Sequence, residues 1–341
     1  MYWIILGLAF ASGVVLLIWL GPRPAVPLYR MEIPAVPGDL RELEAYIHET
    51  EQKTPFLKPD NEARIIWAEG NKYRKTPYSL VFLHGFSASY KEIDPIHKEF
   101  GQRYGCNVYL SRLHSHGVDS PEPMLDFTPE AFMDSGLFAL AVGQKIGEKV
   151  ILITASTGST IGIYMAAHFP EIAGLICYSP NIDLYSNMTR LLTAPWGLQL
   201  ARLIFRGNYR NREIEGPGRA YWIARHRIEA LIALKNLIRS TMKPGTFRKV
   251  TQPFFMAYYY KNRKMQDKTV SVHKMLRMFR LLGTEAESKR KISLPKAGVQ
   301  LQSGSPFTST RYRPAKSREP SALRKVLREL GRRRPWQGMA G

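Results

Sequence analysis

Short, continuous runs of hydrophobic residues alternate with amphipathic stretches through the middle of the chain. The short runs predict buried strands at 63–70, 78–83, 106–110, 149–154, 173–178, 253–259 and 291–294. Helical periodicity predicts helices at 41–51, 129–146 and 159–168, the second of which starts with Thr128 as cap and Pro129 in the first turn. Strands that alternate with helices predict an α/β fold, in which a mainly parallel central sheet has helices on both faces.

A long helical segment interrupts this alternation between the strands at 173–178 and 253–259. It holds about seventy residues, with leucines and isoleucines recurring at helical spacing. We expect a helical cap at about 184–249, lying over the carboxyl edge of the sheet, where ligand sites form in open α/β sheets. An ordinary helical layer packed on the core needs the same pattern, and both alternatives stay open.

The N-terminus carries the longest apolar segment, Tyr2 to Leu20, which has no charged residue. Its length is close to the ~20 residues that cross a bilayer as a helix. We therefore expect residues 1–21 to form a single-pass membrane anchor, and the sequence does not say on which side of the membrane the rest of the chain lies. A signal peptide is the competing interpretation, although no Lys or Arg precedes the run. Residues 22–59 are then expected to form a proline-rich linker and a short helix.

The charge of the chain bears on whether it binds a membrane or a nucleic acid, and its cysteines bear on whether it holds disulfides or a metal. The net charge is +21, and residues 299–341 contribute ten Lys or Arg against two Glu. The moderate basic bias elsewhere could favour an anionic membrane surface, and an ordinary solvated basic surface is the alternative. No pattern of a nucleic-acid-binding module accompanies it. Cys106 and Cys177 fall in predicted strands and are expected to be buried free thiols, with no spacing typical of metal ligands.

The most informative motif is Thr154-Ala155-Ser156-Thr157-Gly158, at a sharp turn between a strand and a helix. Such a turn holds a serine hydroxyl clear of both elements and directs helix N-terminal N–H groups toward a developing oxyanion. The usual pattern is G-x-S-x-G, and Thr154 replaces its first glycine. The motif therefore indicates a candidate nucleophile, Ser156.

Further motifs follow in an order typical of one superfamily. They are HGF at 84–86, LSRLHSHG at 110–117, the serine turn at 154–158, YSPNID at 178–183 and Gln266-Asp267-Lys268. With them the chain resembles the α/β-hydrolase superfamily, and more narrowly the bacterial serine esterases and monoglyceride-lipase-like members, over about residues 60–298. The resemblance implies the α/β-hydrolase fold and a serine hydrolase that acts on carboxylic esters without a metal or cofactor.

The resemblance also implies roles for particular residues. Ser156 would be the nucleophile, and the backbone N–H groups of Phe86 and Thr157 would form the oxyanion hole. Asp267 stands where the family places its catalytic acid, and Asp183 is the alternative position.

Three further residues belong to loops that shape the pocket in this fold. The resemblance gives this structural role to His84, Gly85 and His116.

The general base is not recognisable in this sequence. The family places its histidine just after the last strand, here SLPKAG at 293–298, but no histidine follows, and His273 is the only one after Asp267. Either residues 299–341 are a basic tail rich in Ser, Pro and Arg on a degenerate hydrolase, or they come from a shifted reading frame.

Two functions follow from this sequence. The first is a membrane-anchored serine hydrolase for lipid-like or medium acyl esters, impaired in this chain because it lacks the catalytic histidine. The second is a non-catalytic hydrolase-like scaffold that binds a lipid or a partner at the membrane. Nucleic acid is not expected as a partner.

Overall fold

A computed structural model describes residues 2–214 and 216–295 of the chain, and its centre is a seven-stranded sheet. The strands of this sheet are β1 (Arg64–Ile66), β2 (Thr76–Leu83), β3 (Asn107–Leu110), β4 (Gly147–Ala155), β5 (Gly174–Tyr178), β8 (Phe254–Tyr258) and β9 (Lys289–Ser293). Two short strands, β6 (Tyr209–Asn211) and β7 (Arg225–Arg227), pair separately in an antiparallel arrangement.

Helices cover the sheet and fill the segment between β5 and β8. They are α1 (Tyr2–Trp19), α2 (Leu40–Gln52), α3 (Ile96–Tyr104), α4 (Pro129–Ile146), α5 (Thr157–Ala166), α6 (Gly197–Ile204), α7 (Ile228–Thr241), α8 (Pro244–Lys249) and α9 (Val272–Leu281). The helix predicted at 129–146 is confirmed with the same bounds, and the Thr128 hydroxyl caps it by accepting a hydrogen bond from the Ala131 N–H.

The strand order is β1-β3-β2-β4-β5-β8-β9, with β1 antiparallel and all other neighbours parallel. The central strands are buried almost throughout, which is why they appear in the sequence as continuous apolar runs rather than alternating ones. The predicted α/β-hydrolase fold with a mainly parallel sheet is confirmed.

Parallel pairing places the carboxyl ends of the central strands at one edge of the sheet. Leu83 of β2 pairs with Thr154 of β4, and Ala155 pairs with Tyr178 of β5. The residues that follow these strands therefore emerge side by side. They include the 84–86 loop and Ser156.

The segment between β5 and β8 packs against this edge. Ala201, Ile228, Leu231 and Ile232 of α6 and α7 form a buried apolar cluster, and the half-buried Phe86 ring packs on it. The insertion therefore contacts the loop that follows β2. The boundaries of a cap domain at 184–249 stay a prediction.

The predicted membrane anchor is wrong. Helix α1 has 18 residues, about 27 Å at 1.5 Å per residue, whereas the hydrocarbon core of a bilayer is about 30 Å thick. Within residues 2–214 and 216–295, no helix is both long and apolar enough to span a membrane.

The proline-rich segment after α1 lies along the insertion. The Trp196 N–H donates to the carbonyl oxygen of Pro22 at 3.0 Å, and the Asn236 amide donates to that of Ala25 at 2.6 Å. The hydroxyl of Tyr29 is 2.7 Å from that of Ser240. These contacts hold the segment against α7 and the turn before α6.

Both cysteines are free and buried, as predicted. The predicted basic tail at 299–341 and the last residues of the SLPKAG segment lie outside the described residues.

Candidate active site

Ser156 occupies a strained turn between β4 and α5. Its φ of 47° and ψ of −114° are rare for a residue with a side chain, and such conformations persist only where neighbouring structure enforces them. The Ser156 N–H donates to the Tyr178 carbonyl oxygen at 2.9 Å, and the Ser156 carbonyl oxygen accepts from the Asn181 N–H at 3.0 Å. The last residue of β5 and the segment after it therefore hold both sides of the Ser156 backbone.

Thr154 replaces the usual glycine without disturbing this turn. Its hydroxyl lies 2.8 Å from that of Ser159 on the first turn of α5. A Cβ at Gly162 would lie 2.9 Å from the Thr154 methyl carbon, so the missing side chain at Gly162 leaves room for that methyl group. The threonine thus connects the end of β4 to α5.

Gly158 allows α5 to start directly against the end of β2. A Cβ at this position would lie 2.1 Å from the carbonyl oxygen of Leu83 and 2.6 Å from that of His84. No side chain fits there, because both neighbours are backbone atoms. The close approach brings the Thr157 N–H, the first of the helix, beside the 84–86 loop.

The 84–86 loop contacts the serine directly. A Cβ at Gly85 would lie 3.0 Å from Ser156 Cβ. In the described part of the chain, neither the Phe86 N–H nor the Thr157 N–H donates to a backbone acceptor. Two unpaired donors beside a serine are what an oxyanion hole requires.

His84 and His116 are both buried, and both ring nitrogens of each are occupied. His84 Nε2 accepts from the Leu113 N–H at 3.0 Å, and its Nδ1 lies 3.0 Å from the Gly85 carbonyl oxygen. His116 Nε2 accepts from the Ser87 N–H at 2.9 Å, and its Nδ1 lies 2.6 Å from the His114 carbonyl oxygen. Each ring therefore connects two loops.

Burial holds these two imidazoles in the neutral form. It lowers the pKa of His84 to about 4 and that of His116 well below its usual value. With no free nitrogen, neither ring can take a proton from Ser156 without breaking a backbone hydrogen bond.

Asp267 is buried in the loop after β8. Its Oδ1 accepts hydrogen bonds from the N–H groups of Thr269 at 2.8 Å and Val270 at 3.1 Å. Burial raises the pKa of this carboxyl, and the two amide hydrogen bonds partly oppose that shift. The Ser179 hydroxyl also lowers the pKa of this carboxyl, which forms no ion pair among the described residues.

Asp183, the alternative acid, has a cationic partner. The ammonium group of Lys235 on α7 donates a hydrogen bond to Asp183 Oδ1, and the Leu184 N–H donates to the same oxygen at 2.9 Å. This carboxylate therefore connects the end of β5 to the insertion.

The remaining candidate bases have different surroundings. His273 is exposed on α9, whereas Ser156 is only 4% exposed. His226 on β7 is buried with its ring centroid 5.2 Å from that of Phe86, and neither of its ring nitrogens has a partner within the described ranges. Burial, together with the charges of Arg210 and Arg212, lowers the pKa of His226 to about 4.

Sequence reasoning missed two residues near the 84–86 loop, His226 and Glu92. Glu92 is fully buried, and its Oε2 accepts the Gly85 N–H at 2.5 Å. The sequence signal for Glu92 is a single acidic residue between Tyr90 and Ile93, which are both buried. Among the described residues, no three His, Cys, Asp or Glu side chains are grouped to hold a metal ion.

Comparisons with known proteins agree with this architecture. No curated protein matches the chain. Among solved structures, a metagenome-derived lipolytic enzyme shares 16% identity over 72% of this chain and 91% of its own, with a TM-score of 0.58. A soluble variant of monoglyceride lipase from Saccharomyces cerevisiae, in complex with a substrate analogue, shares 12% identity over 70% of this chain and 83% of its own, with a TM-score of 0.51. At these identities the similarity shows the fold alone.

A family comparison goes further than the structural ones. The model of the alpha/beta hydrolase family matches residues 80–307, which is more than half of the chain and includes the 84–86 loop, the Ser156 turn and Asp267. The chain therefore belongs to the α/β-hydrolase family.

Proposed function

We propose that this protein hydrolyses carboxylic esters through an acyl-enzyme on Ser156. The observation that carries the proposal is the strained Ser156 turn, with Gly85 packed against it. Beside it lie the N–H groups of Phe86 and Thr157, which donate to no backbone acceptor among the described residues. This arrangement is typical of a nucleophile with an adjacent oxyanion hole. Membership of a hydrolase family supports the same reaction class.

The reaction has two balanced steps. Ser156 Oγ attacks the ester carbonyl carbon, its proton passes to the leaving alkoxide, and the C–O bond to the alcohol breaks. Water then attacks the acyl-enzyme, returns a proton to Ser156 and releases the carboxylic acid. The N–H groups of Phe86 and Thr157 would stabilise the oxyanion in both steps, and each such donor is typically worth about 10²–10³ in kcat.

Asp267 is proposed as the acid of the catalytic triad. Its buried carboxyl and its freedom from any described ion pair support that role over Asp183, which is paired with Lys235. The acid orients a histidine in this mechanism, and the sequence holds no histidine after His273. We therefore propose that turnover by this chain is impaired.

The proposed substrate carries a lipid-like or medium-length acyl group. The support is the apolar cluster of Ala201, Ile228, Leu231 and Ile232, on which the Phe86 ring packs. An acyl chain bound at Ser156 would find this apolar surface next to the oxyanion donors.

Turnover of nitrophenyl esters of increasing acyl length tests the proposal. We expect slow hydrolysis by the wild type, faster with medium than with acetyl chains, and none by Ser156→Ala. Ser186→Ala, which removes an exposed serine, should match the wild type. Hydrolysis that survives in Ser156→Ala would contradict the proposal.

A second proposed function is a non-catalytic scaffold that binds a ligand in the hydrolase pocket. The absence of any histidine after His273 favours it. Equal binding of a non-hydrolysable ester analogue by wild type and Ser156→Ala, with no turnover by either, would support it. Any Ser156-dependent turnover would count against it.

A further inference from the structure

Glu92 is a fully buried carboxyl for which the proposed reaction has no role. It lies in a 3₁₀ turn, Tyr90–Ile93, directly after the 84–86 loop. Its Oε2 accepts the Gly85 N–H at 2.5 Å, whereas Oε1 is buried and has no hydrogen-bond partner in the described part of the chain. Carboxyl groups are almost never fully buried unless they are paired, so this one calls for an explanation.

The unpaired oxygen lies close to the nucleophile. A Cβ at Gly85 would lie 2.7 Å from Glu92 Oε1 and 3.0 Å from Ser156 Cβ, so those two atoms are at most about 6 Å apart. Gly85 is thus packed between Glu92 and Ser156. The next residue, Phe86, carries one of the two oxyanion N–H groups.

Nearby positive charge lowers the pKa of Glu92 by less than burial raises it. From the insertion, Arg212 acts on Glu92 and lowers its pKa, and the Gly85 N–H lowers it further. Burial is the larger effect and raises the pKa of Glu92 to about 7. Lys91 and Asp94, its neighbours along the chain, pair with each other at 3.2 Å.

Among the described residues, three histidines and two further arginines also surround the 84–86 loop. Arg112 acts on His84 and His116, and Arg210 acts on His226 from the side of the insertion. Burial lowers the pKa of each of these histidines. None supplies a positive charge to Glu92 near neutral pH.

We propose that Glu92 is a positioning residue of the oxyanion hole and that it performs this role as a neutral carboxyl. Oε2 holds the Gly85 N–H and thereby orients the peptide that carries the Phe86 N–H. The neutral state keeps a negative charge away from the oxyanion. This inference rests on the proposed function of Ser156.

Ionisation of Glu92 would oppose the reaction. The oxyanion would form on the Ser156 side of Gly85. At a charge separation of roughly 6–10 Å and an effective dielectric constant of about 20, the repulsion would slow the reaction by roughly ten- to a hundredfold. The negative oxyanion is present only in the transition state. Protonation of Glu92 therefore stabilises the transition state more than it stabilises the free enzyme.

Two variants distinguish the effect of the hydrogen bond to the Gly85 N–H from the effect of the Glu92 charge. Glu92→Gln keeps an oxygen acceptor for the Gly85 N–H but cannot ionise, whereas Glu92→Leu removes the acceptor and keeps a similar volume. Glu171→Gln, at an exposed position, is the matched control. We would measure kcat and kcat/KM for a nitrophenyl ester from pH 6 to pH 9, subtracting the rate of Ser156→Ala.

The proposal predicts a different result for each variant. The ratio of kcat in Glu92→Gln to kcat in the wild type should rise by about five- to tenfold between pH 6 and pH 8, because the protonated fraction of a group with a pKa of about 7 falls about tenfold over this range. Glu92→Leu should lose at least about tenfold in kcat at every pH, with little change in KM, because the Gly85 peptide is no longer held. A pH-independent ratio for Glu92→Gln, or wild-type kcat in Glu92→Leu, would overturn the proposal.

A second measurement does not depend on turnover. The infrared band of a protonated carboxyl, taken as wild type minus Glu92→Gln, should be present at pH 6 and lost by pH 8. Its absence at pH 6 would overturn the neutral-carboxyl proposal. If no variant shows Ser156-dependent turnover while the band titrates as expected, the proposed ester hydrolysis fails and the assignment of Glu92 as a neutral carboxyl stands.

Discussion

The ammonium group of Lys235 on α7 pairs with the carboxylate of Asp183, the aspartate that follows β5. Asp267, after β8, instead accepts hydrogen bonds from two backbone N–H groups. The two aspartates that the sequence leaves as alternatives thus have different surroundings. Asp183 connects the insertion to the sheet, and Asp267 has no cationic partner among the described residues.

Substitution of the two aspartates should therefore have different effects. We expect Asp183→Asn to lower the free energy of unfolding by about 3 kcal/mol, because it leaves the buried Lys235 ammonium without its carboxylate. Urea unfolding measures this loss. Asp267→Asn should change the stability less, because the amide oxygen of asparagine can still accept the N–H groups of Thr269 and Val270. A larger loss of stability in Asp267→Asn than in Asp183→Asn would contradict this difference.

The close approach at Gly158 predicts a steric effect. Gly158→Ala places a methyl group 2.1 Å from the Leu83 carbonyl oxygen, which is backbone and cannot rotate away. We expect a loss of about 3 kcal/mol or more in the free energy of unfolding, together with loss of Ser156 reactivity, because α5 must move away from β2. Gly245→Ala is the control, since no atom lies within 4 Å of its Cβ position. Equal stability of the two variants would refute the steric argument.

Removal of the Thr154 hydroxyl should have a smaller effect on stability than Gly158→Ala. Thr154→Val keeps the methyl group that faces Gly162 but removes the hydroxyl next to Ser159. The stability should fall by about 1 kcal/mol, the typical net value of one hydrogen bond, while Ser156 remains reactive. Thermal unfolding and esterase activity measure the two effects. Loss of Ser156 reactivity at full stability would show that Thr154 has a role other than connecting β4 to α5.

The buried carboxyl of Glu92 predicts a pH-dependent stability. Its pKa rises from 4.5 to about 7 on folding, so the folded protein binds this proton more tightly than the unfolded chain does. The resulting destabilisation is absent below pH 4.5, grows up to pH 7 and is constant above it.

Glu92→Gln cannot ionise and escapes this destabilisation. We compare the free energy of unfolding of Glu92→Gln with that of the wild type by urea unfolding at pH 4.5 and pH 8. The difference, variant minus wild type, should be about 3 kcal/mol larger at pH 8 than at pH 4.5. Glu171→Gln should show no such difference. A pH-independent effect of Glu92→Gln would contradict the raised pKa.

Much of the fold could be predicted from the sequence because its central strands are buried on both faces. Continuous apolar runs locate β2, β4, β5 and β8 to within a few residues. Strands β6 and β7 could not be found this way. Each has only three residues, YRN and RHR, with no apolar alternation, and the two form only through pairing with each other.

The candidate site was predictable only in part. Ser156, Phe86 and Thr157 follow from a motif, since a tight turn demands particular residue types at fixed spacing. Glu92 and His226 could not be inferred, because burial of a polar side chain is a property of the tertiary structure. The structure alone shows that both contact the 84–86 loop.

The most direct test of the account is to find the residue that a fluorophosphonate modifies. We would treat the full chain with the reagent and map the adduct by mass spectrometry of its peptides, with Ser156→Ala as the control. The account predicts an adduct on Ser156 and none in the Ser156→Ala protein. A folded wild-type protein that carries no adduct on Ser156, or an equal adduct elsewhere in both proteins, would contradict the claim that this turn holds a nucleophile.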